Sequence, residues 1–423
     1  MTVDRILRSG TRVVVEQLAP TGVVAVSVAY RGGMRADPPS TPGLAHLVEH
    51  VSFGELAEHA GLVDAVGGST SALTHSDHTE FCTVVPAAAL AEVLDLEARR
   101  TRPARVDAAG LARQVRVLDE EIRTQIDSQD FAGHTVRDLP QLLLDDARLV
   151  GDGYGSGHAL AHVTPADVAG FMARGYRPED AVVVLAGDVD PEAGAALVEK
   201  AWGHLEPAAP VEPSPGLTTA ERTSAVQAPA VRTRASPVDG LAAASRVGGA
   251  SAPAAVRGVV LSPAHGTTTS LREHLAEVLA LQAVAEPGGL LCRAGIFEPL
   301  AALDPDLAFL ARYLGPGETP ESVAEQVDDA LAELSDGRAP EGLVRSLALQ
   351  WHRRLSAAAA EPLTRSRSLA RATVLVGDPL LPDAVLHALA RTGDDDVAAA
   401  AARLRGARGA LLHVVPTPTE VRA

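Results

Sequence analysis

Several residue types are scarce in this chain of 423 residues, and each scarcity excludes a class of protein. The two cysteines, Cys82 and Cys292, form no C-x-x-C pair, so neither a disulfide-stapled secreted domain nor a thiolate zinc site is indicated. Lys200 is the only lysine and the formal net charge is −17, which argues against nucleic acid or a membrane surface as partner. No apolar run reaches the roughly 20 residues of a membrane span, and residues 1–20 show no signal-peptide pattern. We therefore expect a globular, cytoplasmic protein whose charge suits a neutral or basic peptide.

The hydrophobic share of 46% can supply the cores of two or three domains. Residues 206–218 are rich in proline and lack periodicity, as is typical of a linker. Strand-like runs, helical periods and a closing strand follow one another on both sides of this segment. The pattern predicts an α+β protein of two homologous domains, residues 1–205 and 219–423. Each domain is expected to be a mixed, mostly antiparallel sheet covered by helices.

Runs of β-branched residues predict strands at residues 11–16 and 22–30, which we expect to be adjacent in the sheet. Apolar residues at steps of three and four predict an amphipathic helix over residues 106–126. The other predicted elements are strands at 81–85, 181–187, 256–261 and 410–415 and helices at 86–100, 270–285, 320–334 and 340–359.

The stretch H-L-V-E-H lies in a further predicted helix. Thr41 is its expected N-cap, Pro42 suits the first helical position, and Gly54 stands where the helix would stop. The apolar face contains Leu44, Leu47, Val48 and Val51. One interpretation is therefore an ordinary amphipathic helix with a solvated polar face.

The polar residues of this helix also fit a metal site. His46 and His50 are four residues apart, so both imidazoles leave one face and can hold one ion at zinc–nitrogen distances. Glu49 lies at the edge of the same face, where a carboxylate can take a proton from metal-bound water. These five residues alone do not decide between the two interpretations.

A catalytic zinc normally has three protein ligands, so a third donor must come from another segment. The helix at 106–126 offers Asp119, Glu120 and Glu121. Its apolar stripe is expected to include Val117, Leu118 and Ile122. Glu121 lies beside this stripe and should face inward at the margin of the core, whereas the other two carboxylates should face solvent.

These motifs resemble the pitrilysin/insulinase family of zinc peptidases, which includes mitochondrial processing peptidase and its bacterial relatives and carries the inverted motif H-x-x-E-H. Residues 67–81 are similar to the family segment G-G-x-x-N-A-x-T-x-x-D-x-T-x-Y, and residues 113–121 to its R-E-x-x-x-x-x-x-E helix. The matching motifs span residues 8–205. In the second half of the chain, the resemblance is limited to the predicted order of strands and helices.

The resemblance implies a zinc-dependent endopeptidase whose two domains form half of a clamshell around an unfolded peptide, or around a precursor or leader peptide. It implies one zinc ion per chain, bound by His46, His50 and Glu121, with Glu49 as the base that activates water. The second domain would carry no metal site.

In the family an extended substrate pairs with the edge strand of the N-A-x segment. The matching positions are Ser71, Ala72 and Leu73, which would bind substrate by strand addition. The same polar stretch is also compatible with an ordinary strand edge.

Two kinds of departure from the family pattern bear on activity. Gln114 replaces the usual second glutamate, two turns before the third ligand, and Ser71 and Phe81 replace the usual asparagine and tyrosine. A neutral amide can still hydrogen-bond behind a ligand, but it cannot tune that ligand by charge.

The second departure concerns an arginine and a tyrosine seven residues later, which in active single-chain relatives bind substrate and stabilise the oxyanion. No tyrosine follows Arg293 at that distance, because Leu300 occupies the position, and Arg312 and Tyr313 are adjacent and should diverge. The resemblance therefore implies a zinc-bearing subunit of a heterodimer whose partner supplies the pair, or otherwise a homodimer.

Two other interpretations remain open. A non-catalytic scaffold or peptide-binding subunit of the same fold would explain Gln114 and the missing pair, but it would have no need of all four metal-site residues. A zinc-storage or sensor protein has little support, since the other histidines are scattered, including His75 with His78 and His158 with His162.

Overall fold

The structure is a computed structural model that describes residues 2–54, 57–102, 106–126, 130–146, 149–150, 153–207, 241–247, 252–295 and 300–416. Its elements form two β-sheets covered by helices, so the predicted fold class is confirmed. Most of the predicted linker at 206–218 lies outside the described residues, and the domain limits built on it stay a prediction.

The first sheet lies in the N-terminal half of the chain. Its strands are β1 (Thr2–Ile6), β2 (Arg12–Gln17), β3 (Val23–Tyr30), β4 (Ser69–Thr74), β5 (Thr79–Pro86) and β6 (Ala181–Gly187). They lie in the order β1-β2-β6-β3-β5-β4, with β2 and β6 parallel and the other neighbours antiparallel. The expectation that β2 and β3 are adjacent is wrong, because β6 lies between them. All residues of β6 are buried, as is typical of a central strand with both faces covered.

The second sheet has the same kind of architecture. Its strands are β7 (Leu241–Val247), β8 (Ala254–Val260), β9 (Leu291–Ala294), β10 (Leu307–Tyr313) and β11 (Gly409–Val415). They lie in the order β7-β11-β8-β10-β9, and only β7 and β11 are parallel among these described strands. Both sheets are thus mixed and mostly antiparallel, as predicted.

Each predicted helix is present. The described α-helices are α1 (Leu44–Gly54), α2 (Ala57–Ala65), α3 (Leu90–Glu97), α4 (Ala108–Glu121), α5 (His134–Arg137), α6 (Leu139–Leu143), α7 (Gly157–Leu160), α8 (Pro165–Gly175), α9 (Pro191–Trp202), α10 (Thr268–Gly288), α11 (Pro320–Ser335), α12 (Leu343–Ala359), α13 (Pro362–Val376), α14 (Leu381–Leu389) and α15 (Asp394–Gly406). None of these helices alone is long and apolar enough to cross a bilayer, and only α13 with α14 reaches that length, with a bend of 101° between them.

The chain divides into two compact units, and each takes segments from both halves of the sequence. The first unit contains Met1–Asp119, Gly153–Gly216 and Arg354–Ala384. The second unit contains Glu120–Asp152, Leu217–Arg353 and Val385–Ala423. The division passes through the last turn of α4, which is one continuous helix.

In the first unit, α13 packs on the sheet although it comes late in the sequence. Its residues Leu369, Ala370 and Val374 lie in one buried cluster with Val14 of β2 and Val184 of β6. Removing this apolar surface from water stabilises the contact between α13, late in the sequence, and the strands formed by the N-terminal half of the chain.

Polar contacts fix the register of α13 on the sheet. The hydroxyls of Ser366 and Ser27 lie 2.8 Å apart in the interior. Arg365 donates two hydrogen bonds to Glu16, of 3.0 and 2.9 Å. Such bidentate pairs add directional specificity to the apolar contact.

In the second unit, α6 packs on the second sheet. Leu139 and Leu143 share a buried cluster with Val256, Phe309 and Leu412 of the strands. A side chain at Gly258 of β8 would place its Cβ 2.3 Å from Leu139, so glycine is needed there for close packing.

Candidate metal centre

Helix α1 carries the H-L-V-E-H stretch, and its start differs from the prediction. The helix begins at Leu44, and the carboxylate of Asp37 accepts hydrogen bonds from the N–H groups of Gly43 and Ala45, both of 2.7 Å. Thr41 is therefore not the side chain that caps the helix, and the expected N-cap is wrong. A carboxylate is the better partner because it satisfies two free N–H groups and complements the helix dipole. The described part of the helix runs to Gly54.

The two histidines of α1 point their ring nitrogens at each other. His46 is buried and His50 half-buried, because the predicted apolar face of the helix packs into the core. Their Nε2 atoms lie 3.2 Å apart. Two ligands of one tetrahedral zinc at ordinary Zn–N distances lie about 3.3 Å apart. The aromatic ring of Tyr154 packs edge-on against His46, with ring centroids 5.6 Å apart, and so limits rotation of the imidazole.

Glu121 completes this group from the last residue of α4. Leu111 and Leu118 are buried on the inner face of the helix, whereas Asp119 and Glu120 are exposed, as predicted. The expected stripe was wrong for Val117, which is 53% exposed.

The side-chain donors of His46, His50 and Glu121 all lie within 4.8 Å of one another. Two imidazole nitrogens and one carboxylate are a donor set of catalytic zinc sites, so the residues present fit this metal.

Glu49 lies on α1 directly before the second histidine and is 8% exposed. Its Oε2 accepts a hydrogen bond of 2.6 Å from the hydroxyl of Thr74, at the end of β4. A buried carboxylate with one oxygen fixed by a donor has a defined orientation, which a general base requires.

The predicted substrate-binding residues lie on β4, the last strand of the first sheet as described. Ser71 and Leu73 are exposed, and Ala72 is half-buried on the opposite face of the strand. The edge location agrees with the expectation, and the same strand leads directly to Thr74 and the base.

Two family models match this chain. Residues 12–138 match the model of insulinase, peptidase family M16, and residues 162–234 match the model of the peptidase M16 inactive domain. The predicted resemblance to this family is thereby confirmed over these two stretches of the chain.

Several curated proteins similar to this chain carry the name zinc protease. An uncharacterized zinc protease of Mycobacterium tuberculosis is 31% identical over 238 residues, and the match covers 51% of this chain and 52% of the relative. The chain thus spans about half the length of the curated relatives it matches.

Solved structures share the fold over nearly the whole chain. A protease from Helicobacter pylori has a TM-score of 0.79 at 16% identity and covers 98% of this chain and 99% of that one. A putative M16-like peptidase from Alicyclobacillus acidocaldarius has a TM-score of 0.77 at 15% identity, with 99% and 98% covered. At these identities the likeness establishes the two-sheet M16 fold alone.

The residues in which this chain departs from the family pattern can now be placed. Gln114 is half-buried on α4, two turns before Glu121. Arg293 is exposed on β9, the last strand of the second sheet as described, and residues 296–299 after it lie outside the described part. Arg312 and Tyr313 are neighbours on β10, so their side chains leave opposite faces and form no joint site, as expected.

A second histidine group appears where scattered histidines were expected. His75, His78 and Glu80 bring their side-chain donors within 4.8 Å of one another in the interior. The expectation that these histidines are scattered is wrong, because the tight turn between β4 and β5 stacks the two rings at 4.5 Å. His158 and His162 are both exposed, and His158 lies on the short helix α7 instead of in the expected loop.

Two features of this group argue against a cation. The rings are nearly parallel, with an angle of 10°, so their in-plane lone pairs run side by side and do not converge. Arg367 of α13 donates a hydrogen bond of 2.6 Å to Glu80. Burial would raise the pKa of Glu80, but the hydrogen bond from His75 and the charges of His75 and Arg367 lower it to about 2. The group is better described as an ion-pair network between β5 and α13.

His78 should make the stability of the protein depend on pH. Its pKa is lowered well below 6.5, chiefly by burial and then by the charges of His75, Arg371 and Arg367. Since the unfolded chain binds a proton below about pH 6.5 and the folded chain does not, the free energy of unfolding falls on acidification, by at most about 1.4 kcal/mol per pH unit. Urea unfolding at pH 7 and pH 5.5 should show a smaller loss in His78→Phe than in wild type.

The control for this measurement is the exposed His158, and His158→Gln should lose as much stability between the two pH values as wild type. An equal loss in His78→Phe and wild type would contradict the assignment to His78.

The structure contains a buried ion pair near the end of α1, between Glu97 and Arg100, which no sequence motif indicates. The side chains of Glu97 and Arg100 are each 1% exposed, and Arg100 Nε donates to Glu97 at 2.7 Å. Arg100 also donates to the carbonyl of Ser52 at 2.9 Å and lies over the ring of Phe81, 4.2 Å from its centroid. The guanidinium thus ties the end of α1 to α3 and β5.

Arg100→Met should lower the free energy of unfolding by about 3–5 kcal/mol, because it removes the cation that pairs with the buried carboxylate of Glu97. The double variant Glu97→Leu with Arg100→Met should be less destabilised, since it removes both charges. Chemical denaturation checks both, with the exposed Arg99→Met as control. A single variant as stable as the control would contradict this role for the pair.

Proposed function

We propose that this chain is a zinc-dependent endopeptidase of the M16 type that cleaves unfolded peptides or a precursor or leader peptide. The observation that carries the proposal is the meeting of three donors, with His46 and His50 Nε2 atoms 3.2 Å apart and Glu121 within 4.8 Å of both. In this proposal these residues hold one zinc ion, which supplies Lewis acidity and lowers the pKa of water when bound.

Glu49 acts as the general base. Its buried carboxylate takes the proton of the attacking water and then returns it to the leaving amine. Its location one residue before His50 on the same helix keeps it beside the donors, and Thr74 restricts its rotation.

The substrate binds along β4 as an added strand. His75 donates its main-chain N–H to His78 at 2.8 Å, so these two form a hydrogen-bonded pair. In an antiparallel ladder such pairs alternate, and Ala72 therefore turns its N–H and C=O groups away from β5, toward the open edge. An extended peptide can form main-chain hydrogen bonds with these groups. The exposed side chains of Ser71 and Leu73 would then contact the side chains of the peptide on the other face of the strand.

The finer proposal is that the chain is the zinc-bearing subunit of a heterodimer. It is supported by the divergence of Arg312 and Tyr313 and by the absence of a tyrosine seven residues after Arg293 in the sequence. A partner of the same family would then supply the arginine and tyrosine that contact substrate and oxyanion. Loss of one oxyanion donor typically costs about 100- to 1000-fold in rate.

A second candidate is a non-catalytic peptide-binding subunit of the same fold. It is favoured by Gln114, a neutral residue behind the metal centre, and by the match of residues 162–234 to the M16 inactive-domain model. The two candidates make different predictions for turnover with metal bound.

The test is a cleavage assay on the full chain loaded with zinc, with a library of internally quenched unfolded peptides. The chain is assayed alone and after co-production with a related M16 chain that carries the arginine–tyrosine pair. The heterodimer proposal predicts at least about 100-fold faster cleavage by the complex. If the chain alone were as active as the complex, the heterodimer proposal would be contradicted and the peptidase proposal would still hold. Metal-loaded but inactive protein in both samples would support the non-catalytic subunit.

A further inference from the structure

Thr74 links the open edge strand to the general base. It is the last residue of β4 and lies half-buried on the same face as Ala72, toward α1. Its hydroxyl donates to Glu49 Oε2 over 2.6 Å, which is short for a neutral donor and typical of a charged acceptor.

The direction of this hydrogen bond is determined by the neighbouring hydroxyl. Thr79, opposite Thr74 in the ladder, donates its own proton to the carbonyl of Gly32 over 2.6 Å. The two threonine oxygens lie 3.3 Å apart, but each hydroxyl has one proton. Since the proton of Thr79 is used on Gly32 and a carboxylate only accepts, the proton of Thr74 goes to Glu49.

The hairpin that carries Thr74 is held firmly in place. Its turn residue Asp77 forms a buried ion pair of 2.9 Å with Arg35, in which both side chains are nearly inaccessible. The main-chain N–H groups of Met34 and Arg35 also donate to the carbonyls of His75 and Ser76, at 3.0 and 2.8 Å. Thr74 is thus fixed relative to α1 before any substrate binds, as pre-organisation of a base requires.

We propose that Thr74 is a positioning residue for Glu49. The strand β4 thus both pairs with the substrate along its edge and orients the general base through Thr74. The inference rests on the proposed peptidase function. A substrate strand paired beside Ala72 would have its scissile bond in a fixed register with the carboxylate, because Thr74 lies only two positions after Ala72 on the same strand.

The kinetic test compares Thr74→Val and Thr74→Ser in the full zinc-loaded chain, with its partner if one is required, on a quenched unfolded peptide. Thr74→Val removes the hydroxyl at nearly constant volume and should lower kcat about 10- to 100-fold, the effect of a lost hydrogen bond to a charged group, with KM and zinc content unchanged. Thr74→Ser keeps the hydroxyl and should restore kcat to within about threefold.

The matched control is Thr83→Val, which removes a buried threonine hydroxyl of β5 that contacts Thr70 instead of the base. It should leave kcat near the wild-type value. An unchanged kcat in Thr74→Val, equal losses in the serine and valine variants, or an equal loss in the control would each overturn the proposal.

A second measurement does not depend on turnover. Thermal unfolding of Thr74→Val, Glu49→Ala and the double variant forms a cycle, and the shift in Tm caused by Thr74→Val should be smaller when Glu49 is absent. Additive shifts would overturn the contact even if every variant were inactive. If wild type cleaves no peptide while the cycle is non-additive, the proposed function fails and the positioning of Glu49 by Thr74 stands.

Discussion

Glu49→Gln is expected to lower kcat for peptide cleavage about 1000-fold while the protein keeps its zinc. The amide has nearly the shape of the carboxylate and can still accept the hydrogen bond from Thr74, so packing of α1 should be preserved. It cannot accept the proton of the attacking water, and general base catalysis typically contributes about 100- to 10,000-fold. Steady-state kinetics and elemental analysis of the same preparation measure both effects.

The matched control for this variant is Glu92→Gln, a change of the same chemistry at an exposed residue of α3. It should leave kcat and zinc content unchanged. Turnover that persists in Glu49→Gln would show that the base assignment is wrong, and loss of zinc would show that Glu49 acts as a ligand.

His50→Ala and Glu121→Gln are each expected to abolish both zinc retention and cleavage. Each leaves two protein donors, fewer than the three that catalytic zinc sites supply. After dialysis, zinc should fall from about one per chain to below about 0.1 per chain. Because zinc that binds only the folded chain raises its stability, a chelator should lower the Tm of wild type and leave that of the variants unchanged.

The controls for these two variants are exposed residues of the same types. His158→Ala lies on α7, and Glu120→Gln lies next to Glu121 on the solvent side of α4. Both should retain zinc and the response to chelator. Full zinc content in His50→Ala would contradict the metal centre, and loss of zinc in Glu120→Gln would show that the wrong carboxylate of α4 was chosen.

The parts of the site that could be predicted from the sequence depend on helical spacing. His46 and His50 meet because residues four apart share a helix face, and Glu121 faces them because it lies beside the apolar stripe of α4. Even the error at Val117 left this inference intact, since buried Leu118 alone orients the last turn.

What could not be predicted depends on contacts between distant segments. The cap of α1 comes from Asp37, because a preceding loop folds back to bring a stronger acceptor than Thr41. The pairing of β2 with β6 and the packing of α13 on the same sheet join residues far apart in the chain, and local patterns carry no information on such partners. The stacking of His75 on His78 likewise depends on the tight turn between them.

The measurement that tests the metal centre most directly is a crystal structure of the zinc-loaded chain with anomalous data at the zinc edge. We expect one strong anomalous peak about 2.0–2.2 Å from Nε2 of His46, Nε2 of His50 and a carboxylate oxygen of Glu121. Glu49 should lie near the ion without binding it, with its Oε2 still bonded to Thr74. A peak elsewhere, or a zinc ion at His46 and His50 from which Glu121 is absent, would contradict the account.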